Sequence, residues 1–345
     1  MQARIEEAAA ILRSGGLVAM PTETVYGLAA NALDPRAVEK IFAAKQRPAW
    51  DPVIVHIANE AMLAELTSSL PGVVHPLVKN FWPGPLTLLL PKSERIPGIV
   101  TAGRPLVGVR IPDDPVALAL IQAAAVPLAA PSANRFGHTS PTLAQHVLDD
   151  LDGRIDCILD AGPCHHGLES TVLDPNRNPM LIYRPGAVTR EQILAAAGRE
   201  VEHYSEPAQL TAQPPEALPS PGVGLRHYAP AARLILFESS LDEMPEAFAK
   251  IIEVERNRRH GAKTGLLVPK EVLPQLPRAG NDLTHHEWGR WGDASELAAN
   301  LYTALRALDD AGCQIIIAPV PPAVGIGEAL RDRMRKAASA APVTR

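Results

Sequence analysis

Pro21-Thr22-Glu23-Thr24-Val25-Tyr26-Gly27-Leu28 follows the short apolar run at residues 17–20. An apolar run that ends in Pro and hydroxyl residues predicts a buried strand whose C-terminal end opens into a turn. In α/β proteins ligands collect at such strand ends. Two Thr hydroxyls and a carboxylate, followed by an aromatic ring and a Gly that permits close backbone approach, make a polar wall from consecutive residues. The same octapeptide also suits a strand-to-helix turn in which Thr22 or Thr24 caps the helix. The octapeptide alone leaves both readings open.

The surrounding composition bounds the choice. With 345 residues the chain is long enough for two domains, because one core rarely grows past about 250–300 residues. Its 46% hydrophobic and 21% charged residues suit a globular protein, and a net charge of −5 gives no chain-wide basic footprint for nucleic acid. The longest apolar runs fall well short of the roughly 20 residues that a membrane span needs. The first ten residues carry Glu6 and Glu7 and have no signal-peptide core, and three Cys fit a reducing compartment. A cytoplasmic protein without membrane contact is expected.

In chain order, helical spacing over residues 4–13 ends at Gly15 and Gly16. Asp34 and Pro35 have the character of an N-cap and first helical residue, predicting a helix to Lys45. That helix runs into Lys45-Gln46-Arg47-Pro48. Two cations pinned by a Pro suit a polyphosphate, although charges at a helix C-terminus also answer its dipole. Residues 53–57 predict a strand containing His56, residues 73–82 a helix, and residues 86–90 another strand. The strand at 106–111 carries Arg110 among apolar neighbours, where a guanidinium is costly unless paired. Its carboxylate partner comes either from the protein or from a ligand.

A helix at 115–125 leads to a strand at 126–130 that ends in Pro131-Ser132-Ala133-Asn134, and Ser140, Pro141 and Thr142 are expected to open another helix. These hydroxyl and amide groups suit phosphate or carboxylate oxygens, or plain capping. Short strands follow at 156–160, 171–174 and 180–183. Cys157, Cys164, His165 and His166 invite a zinc reading, but their spacing matches no standard structural pair. No glycine-rich phosphate loop of the usual kinds occurs. Residues 206–220, rich in Pro, Gln, Ala and Glu, have the composition of a linker. It ends in an Arg226-His227-Tyr228 cluster that suits either a strap over a ligand or a plain tether. Strand-like and helical runs then alternate to the C-terminus, the pattern of a small parallel α/β domain.

The ordered set P-T-E-T-V-Y-G-L, K-x-R-P, V-I-V-H-I, V-G-V-R-I-P, P-S-A-N, E-S-T-V, Y-R-P-G-A and S-P-G-x-x-x-R-H-Y-A-P resembles the YrdC-like family, in the long two-domain form of the L-threonylcarbamoyladenylate synthases. Each motif is short, and the specificity lies in eight of them in order. The resemblance implies an α/β fold: a twisted mixed-sheet domain with a deep cavity at 1–202, a segment at 203–230 reaching over the site, and a smaller Rossmann-like α/β accessory domain at 231–345.

It further implies an enzyme that makes threonylcarbamoyl-AMP and pyrophosphate from L-threonine, bicarbonate and ATP with Mg²⁺. A downstream threonylcarbamoyl transferase complex would carry the group to the tRNA adenosine beside the anticodon. Carried over by motif, Thr24, His56, Arg110, Ala130 and Ser170 would hold threonine. Arg47, Asp51, Leu106, Ser132, Asn134, Ser140, Arg184 and Tyr228 would line ATP, with Lys45 and Arg47 as the catalytic cations and no protein-bound metal. Asp51 departs from the Asn common in the family, and its carboxylate must bind Mg²⁺, pair with Arg47 or point away. An RNA-binding module using the same cavity, and a carbamoyl-transfer maturation enzyme, are the alternatives; the second expects zinc-finger and acylphosphatase-like regions that are not visible here.

Overall fold

The computed structural model describes residues 1–205, 218, 220, 223, 228–258 and 261–339. Most of the expected linker, including Arg226 and His227, lies outside the described residues. The chain divides into two compact units, one of residues 1–136 and 141–223, the other of residues 137–140 and 224–345.

The first unit contains α1 (Gln2–Arg13), β1 (Val18–Met20), β2 (Gly27–Asn31), α2 (Pro35–Lys45), β3 (Ile54–His56), α3 (Glu60–Leu66), α4 (Val74–Phe81), β4 (Leu86–Pro91), β5 (Leu106–Arg110), α5 (Pro115–Ala124), β6 (Leu128–Ala129), α6 (Ala144–Leu151), β7 (Cys157–Ile158), β8 (Thr171–Asp174), β9 (Met180–Arg184), α7 (Arg190–Ala197) and β10 (Val201–His203). The strands form one mixed sheet in the order β10-β9-β8-β4-β5-β3-β6-β2-β1-β7. Alternation along the strands sorts the core onto two faces. Val18, Met20 and Ala29 pack with Leu12 of α1 and Ile121 of α5. Their neighbours Ala19, Leu28 and Ala30 pack with Ile41 of α2 and Leu77 of α4.

The octapeptide is a turn between antiparallel strands, with Met20 opposite Gly27, and caps no helix. Thr22 builds it locally, because its hydroxyl donates to the Val25 carbonyl at 2.6 Å and accepts from the Thr24 and Val25 amides. The helix expected from Ser140 begins only at Ala144, and no side chain caps it. By contrast α2 starts where expected, with the Asp34 carboxylate accepting from the Arg36 amide. Helices α3 and α7 and strands β2 and β10 are additions to the expected elements.

The second unit contains β11 (Arg233–Phe237), α8 (Met244–Arg258), β12 (Thr264–Pro269), β13 (Leu283–Gly289), α9 (Ala294–Asp310), β14 (Ile315–Pro319) and α10 (Gly327–Ser339). Its sheet has the order β11-β14-β12-β13 and is parallel throughout. The central strands β12 and β14 read as continuous apolar runs because they are buried on both faces. Strand β13, with the sequence LTHHEWG, was not expected, since charged and His residues occupy the middle of this edge strand. No described helix is long and apolar enough to cross a membrane.

Candidate functional site

Strands β3 and β5 run parallel, with His56 in register with Arg110, so the two side chains share one face at the C-terminal ends of their strands. Arg110 is 3% exposed. Its Nε donates to His56 Nε2 at 2.9 Å, Nη1 pairs with Glu23 Oε1, and Nη2 donates to Thr24 Oγ1 at 2.9 Å and Thr22 Oγ1 at 3.3 Å. The question of which carboxylate partners Arg110 thus has an answer within the protein, Glu23. Burial lowers the Arg110 pKa from its ordinary value, with Glu23 pulling against that shift. Burial and the neighbouring guanidinium hold the His56 pKa well below the usual imidazole value. His56 is therefore a neutral acceptor toward Arg110.

A second cation group sits at the end of α2. Lys45 is the last residue of that helix, yet it is only 1% exposed, so it does more than answer a dipole at the surface. Its Nζ donates to the carbonyls of Ser132 and Asn134, tying α2 to the P-S-A-N segment. That segment is also threaded along the octapeptide, because Leu28 N donates to Pro131 O and Ala133 N to Tyr26 O. A Cβ on Gly27 would lie 3.3 Å from the Ala130 Cβ, so the glycine lets Ala130 approach. Burial and the Arg47 charge lower the Lys45 pKa well below its ordinary value.

Arg47 closes the loop after α2. Its Nη2 lies 2.9 Å from Asp51 Oδ1 and donates to Pro52 O at 2.7 Å, while Nε donates to Asp51 O at 3.1 Å. Among the alternatives for Asp51, the structure shows the Arg47 pair. Asp51 is fully buried, which pushes its carboxyl pKa up against the pull of Arg47, Lys45 and Arg184.

Arg184, at the end of β9, links the two groups. Its Nε donates to Ser170 O at 3.0 Å and its Nη2 to Ser170 Oγ at 3.1 Å. Its charge acts on both Arg110 and Asp51. Ser170 is also 2.8 Å from Thr87 Oγ1 on the adjacent β4. Leu106 starts β5 and packs beside Ile54 and Tyr183. Of the motif residues, Thr24, Lys45, Arg47, Asp51, His56, Leu106, Arg110, Ala130, Ser132, Asn134, Ser170 and Arg184 belong to the first unit. Ser140 and Tyr228 belong to the second, where Tyr228 stacks on Tyr302 and faces the Arg333 guanidinium.

Sequence reading missed the part played by Glu23 and Thr87. A Thr inside the run Leu-Thr-Leu-Leu-Leu was the available signal for Thr87. Cys164 N donates to Thr142 O and His166 N to Glu23 O. Burial pushes the Cys164 thiol up to about 12. Among the described residues no group of three or more His, Cys, Asp or Glu is placed to hold a metal ion.

The arrangement is a buried guanidinium paired with a carboxylate, with a lysine and two further arginines in the same unit around hydroxyl and amide groups. The family profile described as "Telomere recombination", which spans the Sua5, YciO and YrdC proteins, matches residues 10–186. The profile "Threonylcarbamoyl-AMP synthase, C-terminal domain" matches residues 188–339. The chain belongs to the Sua5 family.

Two relatives named as synthases are similar over nearly the whole length of both chains. The threonylcarbamoyl-AMP synthase of Pyrococcus abyssi is 41% identical over 340 residues, covering 97% of this chain and 95% of that protein. The Bacillus subtilis threonylcarbamoyl-AMP synthase is 43% identical over 338 residues, covering 97% and 93%. The crystal structure of P. abyssi Sua5 complexed with L-threonine superposes with a TM-score of 0.88 at 39% identity, covering 98% of this chain and 95% of that one.

Proposed function

We infer that this chain is a threonylcarbamoyl-AMP synthase, a nucleotidyltransferase acting in tRNA modification. It joins L-threonine, bicarbonate and ATP into threonylcarbamoyl-AMP, releasing pyrophosphate and water. Full-length similarity to synthases supports the activity, and the Arg110 cluster is the observation in this chain that carries it. A cation held on three sides by His56, Glu23 and the two threonines is already oriented for an amino acid's carboxylate. Thr24, His56, Arg110, Ala130 and Ser170 are our candidates for the threonine side.

Lys45, Arg47, Asp51, Leu106, Ser132, Asn134, Ser140, Arg184 and Tyr228 are the candidates for the ATP side. Catalysis on this reading is positional and electrostatic. The threonine carbamate supplies its own nucleophilic oxygen, and Lys45 and Arg47 offset charge growing on the leaving pyrophosphate. Mg²⁺ enters with ATP as part of the substrate, which accords with Asp51 being engaged by Arg47. A downstream threonylcarbamoyl transferase complex takes the product to tRNA in the cytoplasm.

The test is pyrophosphate release from ATP with bicarbonate and Mg²⁺, with and without L-threonine and in the absence of RNA. Threonine-dependent release is expected. Its absence, with salt-sensitive RNA binding in its place, would overturn the assignment in favour of an RNA-binding module.

A further inference from the structure

The hydrogen-bond inventory of Arg110 leaves little for a ligand. A guanidinium has five N–H groups. One goes to His56, one to Glu23 and two to Thr24 and Thr22. A substrate carboxylate needing a two-point grip therefore requires Glu23 to yield at Nη1.

Glu23 is itself 3% exposed, and its second oxygen, Oε2, has no hydrogen-bond partner among the described residues. Buried carboxylate oxygens are costly to leave in that condition. Charge balance indicates what completes it. Glu23 and Arg110 together are neutral. A carboxylate entering alone would set a second anion beside Glu23, whereas a zwitterion brings its own ammonium for the Glu23 carboxylate to pair with.

We propose that Glu23 is the ammonium-binding half of the amino-acid site. In the free protein Oε1 holds the place of the substrate carboxylate on Arg110. When L-threonine enters, its carboxylate takes Nη1 and its α-ammonium pairs with the Glu23 carboxylate. The site thus selects an amino acid over the matching hydroxy acid. This rests on the reading that the site takes L-threonine.

The test is calorimetric titration of the full-length protein and its Glu23→Gln variant with L-threonine and with 3-hydroxybutyrate, which keeps the carboxylate, hydroxyl and methyl but lacks the ammonium. The wild type should prefer L-threonine by about 30-fold or more, the usual scale for a buried charge pair. In Glu23→Gln the L-threonine affinity should fall by a similar factor while 3-hydroxybutyrate binds as well as before or better, since the competing carboxylate is gone. Equal losses for both ligands would reduce Glu23 to a support for Arg110 and overturn the proposal. Should Glu23→Gln fail to fold, the wild-type comparison decides, with equal affinities overturning the proposal. A wild type that binds neither ligand would instead overturn the threonine reading itself.

Discussion

His56 and Arg110 face each other in register across two parallel strands, and the guanidinium Nε donates to the imidazole Nε2 at 2.9 Å. That contact requires a neutral imidazole, and burial keeps the His56 pKa well below its unfolded value of 6.5. Between the two values the unfolded chain binds a proton that the folded chain does not. The His56 contribution is therefore fully present above pH 6.5 and is lost as pH falls toward the folded pKa. We expect stability to decline below pH 6.5 by at most about 1.4 kcal/mol per pH unit from this group, and His56→Gln to flatten that limb. Urea denaturation of both proteins from pH 5 to 8 checks this. Parallel acid limbs would remove His56 from the account.

Lys45 carries a linkage of the opposite kind. Its pKa is lowered in the free protein by burial and by Arg47, and a triphosphate placed beside it would raise it again. ATP binding is then accompanied by proton uptake in the window between the lowered and the restored pKa. Titrations of ATP in buffers of different ionisation enthalpy should show that uptake, ATP affinity should weaken as pH rises through the window, and Lys45→Met should abolish the uptake.

Asp51 separates charge from packing. Its carboxylate occupies the Arg47 guanidinium in a fully buried position. In Asp51→Asn an amide oxygen can still accept from Arg47, so the fold should survive while the released charge lowers the KM for ATP several-fold. Asp51→Ala strands a buried cation and should cost about 3 kcal/mol in urea denaturation. A rise in the ATP KM of Asp51→Asn would show that the carboxylate itself serves ATP.

Gly186 matters through what surrounds it. A Cβ there would sit 2.3 Å from Thr171 N and 2.7 Å from Glu169 O, both backbone atoms. Alanine can be accommodated only by moving the 169–171 backbone, which presents Ser170 to Arg184 and Thr87. Gly186→Ala should lose about 3 kcal/mol of stability, measured by urea denaturation, and raise the KM for L-threonine. A neutral outcome would mean that this backbone is more yielding than its packing indicates.

Legibility in the sequence followed the range of the interactions involved. Helix α2 could be placed because its cap, its proline and its apolar period all lie within a dozen residues. The buried strands of the second unit were visible as apolar runs, while the edge strand β13 was hidden by its polar residues. The turn at Thr22 was foreseen, but the strand beyond it was not read, because its second partner β6 and the P-S-A-N segment that secures it come from far along the chain.

From residue order alone came the α/β class, the family, and the side chains that carry charge at the ends of buried strands. Which of those charges answer one another was settled only by folding. Glu23 and Arg110 stand 87 residues apart, and Lys45 reaches carbonyls 87 and 89 residues away. No local pattern encodes such pairings; they arise when strand register and sheet order bring distant segments together and leave each buried charge with few partners within reach.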